Sequence, residues 1–301
     1  MNVNFHNHIV LSPKVEEKRL FSHLCMRIFK LVLIVFCSLT VLVSCNKFSK
    51  IQKSKDYEFK LTKADEFFAN KKYRFAQQLY EELFSVFKGT QKFEDLYYKY
   101  AYCFFNDGMY LEAENLFKGY LEVFPNSTHA EEVDYMRAYC FYKQSPKVEL
   151  EQVNSLKAIG MMQTFINTHP GSERNKEATA IIDEMRLKLE QKELKGAKLY
   201  YDLGEFRASA IAYATLLNNF PESASGDEYK FMVVKSYYRY AKLSIITKQL
   251  ERFEKVTEEY MDFMDRYPDS KLLSEAEVLS KQSQNQIKAI QNEQITSSPR
   301  Q

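Results

Sequence analysis

Five cysteines, five histidines and 40 acidic residues are the groups in this 301-residue chain that could carry reactive chemistry. Their placement argues against it. Cys103 and Cys140 each stand two residues after an alanine, in Ala101-Tyr-Cys-Phe-Phe and Ala138-Tyr-Cys-Phe-Tyr, so they are equivalent positions of two like segments. Equivalent helices of neighbouring segments lie beyond the Cα spacing of about 4.4–6.8 Å that a disulfide needs, and both thiols read as small buried apolar fillers. Beyond residue 44 the histidines are His129 and His169, in turns with no companion ligands at metal spacing. Nucleophile elbow, phosphate loop and dinucleotide fingerprint are missing from the sequence. Paired carboxylates such as Glu131-Glu132 fall in the first turns of helices, where they complement the dipole. No catalytic residue, metal site or cofactor is expected. What remains is aromatic, 23 Phe and 21 Tyr with no Trp, suited to contact rather than turnover.

Those aromatics recur on a fixed ladder. From Ala101, bulky Phe104 follows at +3, Gly108 at +7 and Tyr110 at +9; Ala113 stands at +12, Phe117 at +16, Tyr120 at +19 and Pro125 at +24. The spacing predicts a helix, an Asn-Asp-Gly turn, and a second helix that proline stops. Small residues at Ala101 and Ala113 let the two helices close, and aromatics fill the volume beside them. Ala197 leads to Tyr200, Gly204, Phe206, Ser209, Tyr213, Leu216 and Pro221 at the same offsets. Ala64 leads to Phe67, Tyr73, Ala76, Tyr80 and Leu83, with Lys71 in place of the turn Gly and Lys88 in place of the Pro. Ala138 opens a copy that resumes after an insertion at Ala158, Met162, Phe165 and Pro170; another closes with Phe253, Tyr260, Phe263 and Pro268. Four copies end in an aromatic ring followed by Pro-X-Ser, at Pro125, Pro170, Pro221 and Pro268, and each Ser is placed to cap the next helix.

This is the tetratricopeptide (TPR) pattern, a helix pair of roughly 34 residues that stacks on copies of itself. The expected fold is all-α, a TPR solenoid over residues 57–295. It holds about five helix-turn-helix repeats (57–92, 93–127, 130–172, 173–223 and 227–270), a C-terminal capping helix at 271–290 and a frayed tail at 296–301. Gln144–Ser155 interrupts the third repeat with a loop. Ser172–Asp202 is a charged run of helical periodicity that joins the third and fourth repeats as one extended helix.

In stacked pairs the first helix of each repeat lines the concave side, and residues at −3, +1 and +4 from the small packing residue face it. These are Tyr98, Tyr102 and Phe105 in the second repeat and Tyr135, Tyr139 and Tyr142 in the third. The fourth gives Leu194, Lys198 and Tyr201, and the first Leu61, Asp65 and Phe68. Two readings of the rings stay open. Tyrosine offers a large face and a hydroxyl to an extended peptide at low entropic cost; the same rings could equally pack on neighbouring helices.

The amino terminus carries an address. Met26 begins a segment with Arg27 and Lys30 ahead of an apolar run from Leu31 to Val43, the make-up of a secretory signal peptide. The run is short of the roughly 20 residues that span a bilayer. Leu42-Val43-Ser44-Cys45 closely resembles the lipobox of bacterial lipoproteins, in which the cysteine is acylated and becomes the first residue. Residues 1–44 are thus read as a leader, with 26–44 the signal peptide and 1–25 an extension upstream of the true start. Cys45 is the expected lipidation site and 45–56 a short basic tether. The anchor's several acyl chains would hold stably where one is marginal. Asn46 next to Cys45 favours the outer membrane by likeness to bacterial sorting rules. Without residues 1–44 the chain has 37 Lys and Arg against 38 Asp and Glu, so no basic face invites nucleic acid.

Lipobox, tether and five TPRs together resemble the BamD family of outer-membrane assembly lipoproteins, in a form like that of Bacteroidetes. The likeness runs from Cys45 to about Ile290 and includes Ser54-Lys-Asp-Tyr-Glu-Phe-Lys, Ala101-Tyr-Cys-Phe-Phe and Tyr267-Pro-Asp-Ser. It implies a non-catalytic scaffold at the periplasmic face of the outer membrane, within the β-barrel assembly machinery. There the carboxy-terminal repeats would hold a barrel protein through its POTRA domains, and the amino-terminal repeats would receive unfolded barrel proteins. Lys71, Lys88 and the inserted loop depart from the plain pattern. Other readings are a secretin pilot or a coordinator of cell-wall synthesis, and glycan capture, which the lack of Trp disfavours.

Overall fold

Three of the repeats double back through a turn residue that takes a left-handed backbone. The computed structural model describes Lys30 and residues 48–297; the rest of the leader, the lipobox with Cys45, and residues 298–301 lie outside the described residues. Gly108 and Gly204 have φ +82°, and Lys71, in the equivalent place, has φ +57°. In all three the next amide donates back across the turn, Met109 to the Phe104 carbonyl (2.9 Å), Glu205 to Tyr200 (2.9 Å) and Lys72 to Phe67 (2.8 Å). That bond satisfies a carbonyl orphaned at the helix end and sends the chain back antiparallel.

The paired helices are α1 (Tyr57–Ala69) with α2 (Tyr73–Phe87), α3 (Phe93–Asn106) with α4 (Tyr110–Val123), and α5 (Ala130–Lys143) with α6 (Val153–Thr168). Next come α7 (Asn175–Asp202) with α8 (Phe206–Asn219) and α9 (Gly226–Lys242) with α10 (Ile246–Arg266); α11 (Leu273–Ser297) follows alone. No strand occurs among the described residues. The fold is an all-α array of TPR helix pairs. It divides into two compact units, Met1–Pro125 and Asn126–Gln301, at the Pro125 stop.

Small residues set the closeness of each pair. Ala64 and Ala76, Ala101 and Ala113, Ala138 and Ala158, and Ala197 and Ser209 are all fully buried. Tyr80, Phe117, Met162 and Tyr213 fill the space beside them, with Leu83, Tyr120, Phe165 and Leu216 one turn on. Each such burial contributes about 1.5–3 kcal/mol. Where Ser209 replaces alanine, its hydroxyl donates to the Ala197 carbonyl (3.1 Å), so the buried oxygen is not orphaned.

The serines after the proline stops act one turn earlier than expected. Ser127, Ser172, Ser223 and Ser270 each accept from the amide two residues on, at 3.0–3.2 Å, and a short turn follows before α5, α7, α9 and α11 begin. In the second unit three of these hydroxyls also donate to a carboxylate of an earlier helix: Ser172 to Glu131, Ser223 to Glu190, and Ser270 to Asp227 (2.7 Å). The serine therefore fixes the angle between successive repeats rather than capping a helix directly.

Two boundaries move. The tether is partly folded: residues 48–52 form a helical turn, and Phe48 packs on Phe75 (4.7 Å between ring centres) and Phe67 (5.9 Å). The last helix runs to Ser297 rather than ending near 290, since no Gly or Pro interrupts the Gln-rich segment before Pro299.

Candidate functional site

In the first unit, α3 presents Tyr98, Tyr102 and Phe105 on one face because they stand three and four residues apart. Tyr98 and Tyr102 lie 4.7 Å apart. Behind them stand rings of α4: Tyr102 meets Phe117 edge-on at 5.2 Å, Phe105 meets Tyr110 at 5.4 Å, and Tyr98 meets Tyr120 at 6.2 Å. All three groove residues are half-buried. They pack inward on the rings of α4 and stay partly exposed.

Beside that row lies a polar cluster at the first-repeat position Asp65. Its carboxylate accepts from the fully buried Tyr80 hydroxyl (2.6 Å) and from Lys99 (3.0 Å), which also donates to Asp95 (2.6 Å). Burial, reinforced by Asp65, pushes the Tyr80 phenol far above its ordinary range. Burial works to lower the Lys99 pKa, but Asp95 and Asp65 outweigh it and the net direction is up. Lys99 is thus a fixed cation flanked by the aromatic row. The sequence signal was present: Asp95 and Lys99 are spaced for a helix pair, and Asp65 occupies a groove offset.

In the second unit, α5 carries Tyr135, Tyr139 and Tyr142 in the same register. Tyr135 and Tyr139 stack at 5.8 Å, and Tyr139 and Tyr142 lie 5.3 Å apart. Tyr139 and Tyr142 are half-buried, whereas Tyr135 is only 2% exposed, between Phe165 of α6 (5.4 Å) and the Arg174 guanidinium (5.1 Å from its ring centre). Tyr142 donates to Glu184 of α7 (2.8 Å), which with burial pushes its phenol up to about 12. Tyr201, on α7, is half-buried against Phe206 (5.2 Å) with Lys235 over its ring (5.8 Å). It lies near the carboxyl end of α7, two residues before the turn, and neither ring partner belongs to the α5 row.

The inserted loop between α5 and α6 is held down. Gln152 is buried and donates to the Lys147 and Leu150 carbonyls (2.8 and 2.9 Å), while Ser155 donates to its side-chain oxygen (2.7 Å). Three lysines on one face of α7 reach across: Lys188 to Ser145 (2.7 Å), Lys192 to the Leu150 carbonyl (2.7 Å), and Lys195 to Glu149. The length of α7 thus brackets the loop beside the α5 row.

Two cysteines and two histidines fall among the described residues. Cys103 and Cys140 are free and buried, and burial pushes the Cys103 thiol up to about 12. No group of three or more His, Cys, Asp or Glu could hold a metal ion among them. His169 pairs with Asp134 (3.2 Å) and lies tilted against the Phe165 ring (4.9 Å). Nor is any described helix long and apolar enough to cross a membrane.

A family model described as an outer membrane lipoprotein, YfiO, matches residues 53–252. The chain belongs to that family. YfiO membership makes it a BamD-like TPR lipoprotein associated with the outer membrane, and the family and its repeat fold are those of non-catalytic scaffold proteins. No curated protein matches the sequence. Among solved structures the chain is similar to the TPR2AB domain of yeast Sti1 in complex with pHSP90, with 12% identity over 76% of this chain and 98% of that one and a TM-score of 0.36. It is also similar to the TPR domain of P58(IPK), with 14% identity over 87% of this chain and 69% of that one and a TM-score of 0.35.

Proposed function

We propose that this lipoprotein is a scaffold of the outer-membrane β-barrel assembly complex. In this reading Cys45 carries the lipid that holds it at the periplasmic face. The half-buried rings at Tyr98, Tyr102 and Phe105, and separately at Tyr139 and Tyr142, take unfolded barrel segments. The carboxy-terminal repeats hold a barrel protein through its POTRA domains. The observation that carries the reading is the family match across residues 53–252. The aromatic rows supply its chemistry: an extended strand with alternating aromatic side chains finds stacking partners there, and phenol hydroxyls and Lys99 lie within reach of its backbone carbonyls.

No bond need be made or broken. A chain captured by stacking and hydrogen bonds is released when membrane insertion buries its apolar face elsewhere, a competition that binding alone can run. The experiment that tests this reading is purification of the lipoprotein from solubilised membranes with identification of what accompanies it. A barrel protein with POTRA domains is the expected companion. A secretin or a peptidoglycan synthase in its place would overturn the proposal.

A further inference from the structure

We infer that one edge of the second unit, the tips of the α7–α8 and α9–α10 turns, is an interfacial contact with a bilayer containing anionic lipid. Burial singles these turns out. Leu203 (67% exposed), Leu243 (69%), Ile245 (70%) and Ile246 (74%) are more exposed than any other large apolar side chain described, the rest reaching at most 58%. The repeat pattern does not ask for Leu203: the α7–α8 turn, closed by Gly204, has the geometry of those closed by Gly108 and Lys71, which carry Asp107 and Asn70 in the place of Leu203. The two tips are neighbours: the Arg239 guanidinium, at the end of α9, lies 5.1 Å over the Phe206 ring, at the start of α8.

The α9–α10 tip is rigid, although its apolar side chains point outward. Ser244 donates to the Tyr240 carbonyl (2.5 Å) and accepts from Arg252 (2.5 Å), and its carbonyl accepts from Gln249 (3.0 Å). Arg252 itself stacks on Tyr240 at 4.1 Å. A backbone so tied does not fold its aliphatic side chains back onto the core. Little ordering entropy is lost when they enter another phase.

Charge selects the occupant. Residues 198–207 and 235–252 hold seven Lys and Arg against three Asp and Glu, in a chain whose whole surplus is +2. Lys242 and Lys248 bracket the three aliphatic side chains directly. An aliphatic tip ringed by cations matches a bilayer interface, with apolar groups below the headgroups and long cationic side chains among the phosphates. A protein groove would sooner select the aromatic and Arg anchors typical of interface cores. Membership of an outer membrane lipoprotein family keeps a bilayer within reach, and a second weak attachment adds to a lipid anchor as effective concentration. This inference needs membrane association only; it does not depend on barrel assembly.

The test uses the full lipidated chain in vesicles of phosphatidylethanolamine and phosphatidylglycerol. An Ile245→Cys variant carries an environment-sensitive fluorophore, and Lys271→Cys, at the exposed turn before α11, serves as the control. The buried Cys103 and Cys140 do not compete for the label. The expected result is a blue shift and several-fold quenching by acyl-chain nitroxide lipids at 245, with neither at 271. A water-like probe at 245 on these vesicles overturns the inference. So does a shift seen only after membrane proteins are added, which would assign the tip to a protein partner.

Discussion

Lys71 stands where two other repeats have glycine, and it is the only non-glycine with positive φ among the described residues. A side chain in the left-handed region costs about 1 kcal/mol, which the turn's hydrogen bond to Phe67 offsets. Lys71→Gly should therefore stabilise the first unit by a few tenths to about 1 kcal/mol, the strain relieved being partly offset by the freer unfolded chain. Urea unfolding would show a higher midpoint at constant slope; a lower midpoint would mean the strain is not there. The groove rings make the matching functional prediction. Tyr102→Ala with Tyr139→Ala should weaken binding of an unfolded-barrel peptide about tenfold or more, at about 1 kcal/mol or above for each ring. Unchanged affinity in titration calorimetry would leave those rings as packing alone. Much of this scale was legible in the sequence, because the ladder names the residues: Ala101, Ala113, Phe117 and Tyr120 are all fully buried. The depth of Tyr135 was not legible. It shares its offset with the half-buried Tyr98, but Phe165 of α6 and Arg174, brought back from the start of α7, close over it.

Elements carry the next layer. In the last helix pair, Lys230 of α9 is 4% exposed and donates to Glu259 and Asp262 of α10, both at 2.5 Å. The ammonium is the group out of water, so the pair must stay ionised to keep it there. Burial works to raise the Asp262 pKa, but Lys230 outweighs it and holds the carboxyl below its ordinary range. A carboxyl depressed in the folded state stabilises fully above its unfolded pKa, about 3.9, and loses that contribution as pH falls through the folded value. The stability gap between the parent and Asp262→Asn should thus be present at neutral pH and shrink below about pH 4. Chemical denaturation across that range would show it, and a gap independent of pH would contradict the ion pair's role. The sequence revealed this level unevenly. Helical periodicity and Pro stops marked each helix pair, and the charged run before Asp202 forms the single helix α7. What the serines do was hidden, since their carboxylate partners lie 33 to 43 residues away.

On the scale of the whole molecule, the chain is a set of packed helix pairs in two units. The proposed role uses the two aromatic rows and the Asp65–Lys99 cluster beside the first, and the inferred bilayer contact uses the apolar tips of the second unit. The sequence identified the repeat architecture, because helix pairs announce themselves by local spacing. It did not indicate the division at Pro125, which depends on contacts between helices and not on any one residue's type. The proposed role is service to barrel assembly through binding alone. Depleting this lipoprotein in its native cell and quantifying outer-membrane proteins tests that role. The predicted result is a broad fall in barrel proteins, restored by the wild-type chain and much less by the Tyr102→Ala, Tyr139→Ala variant. Barrel levels that hold steady through depletion would contradict it.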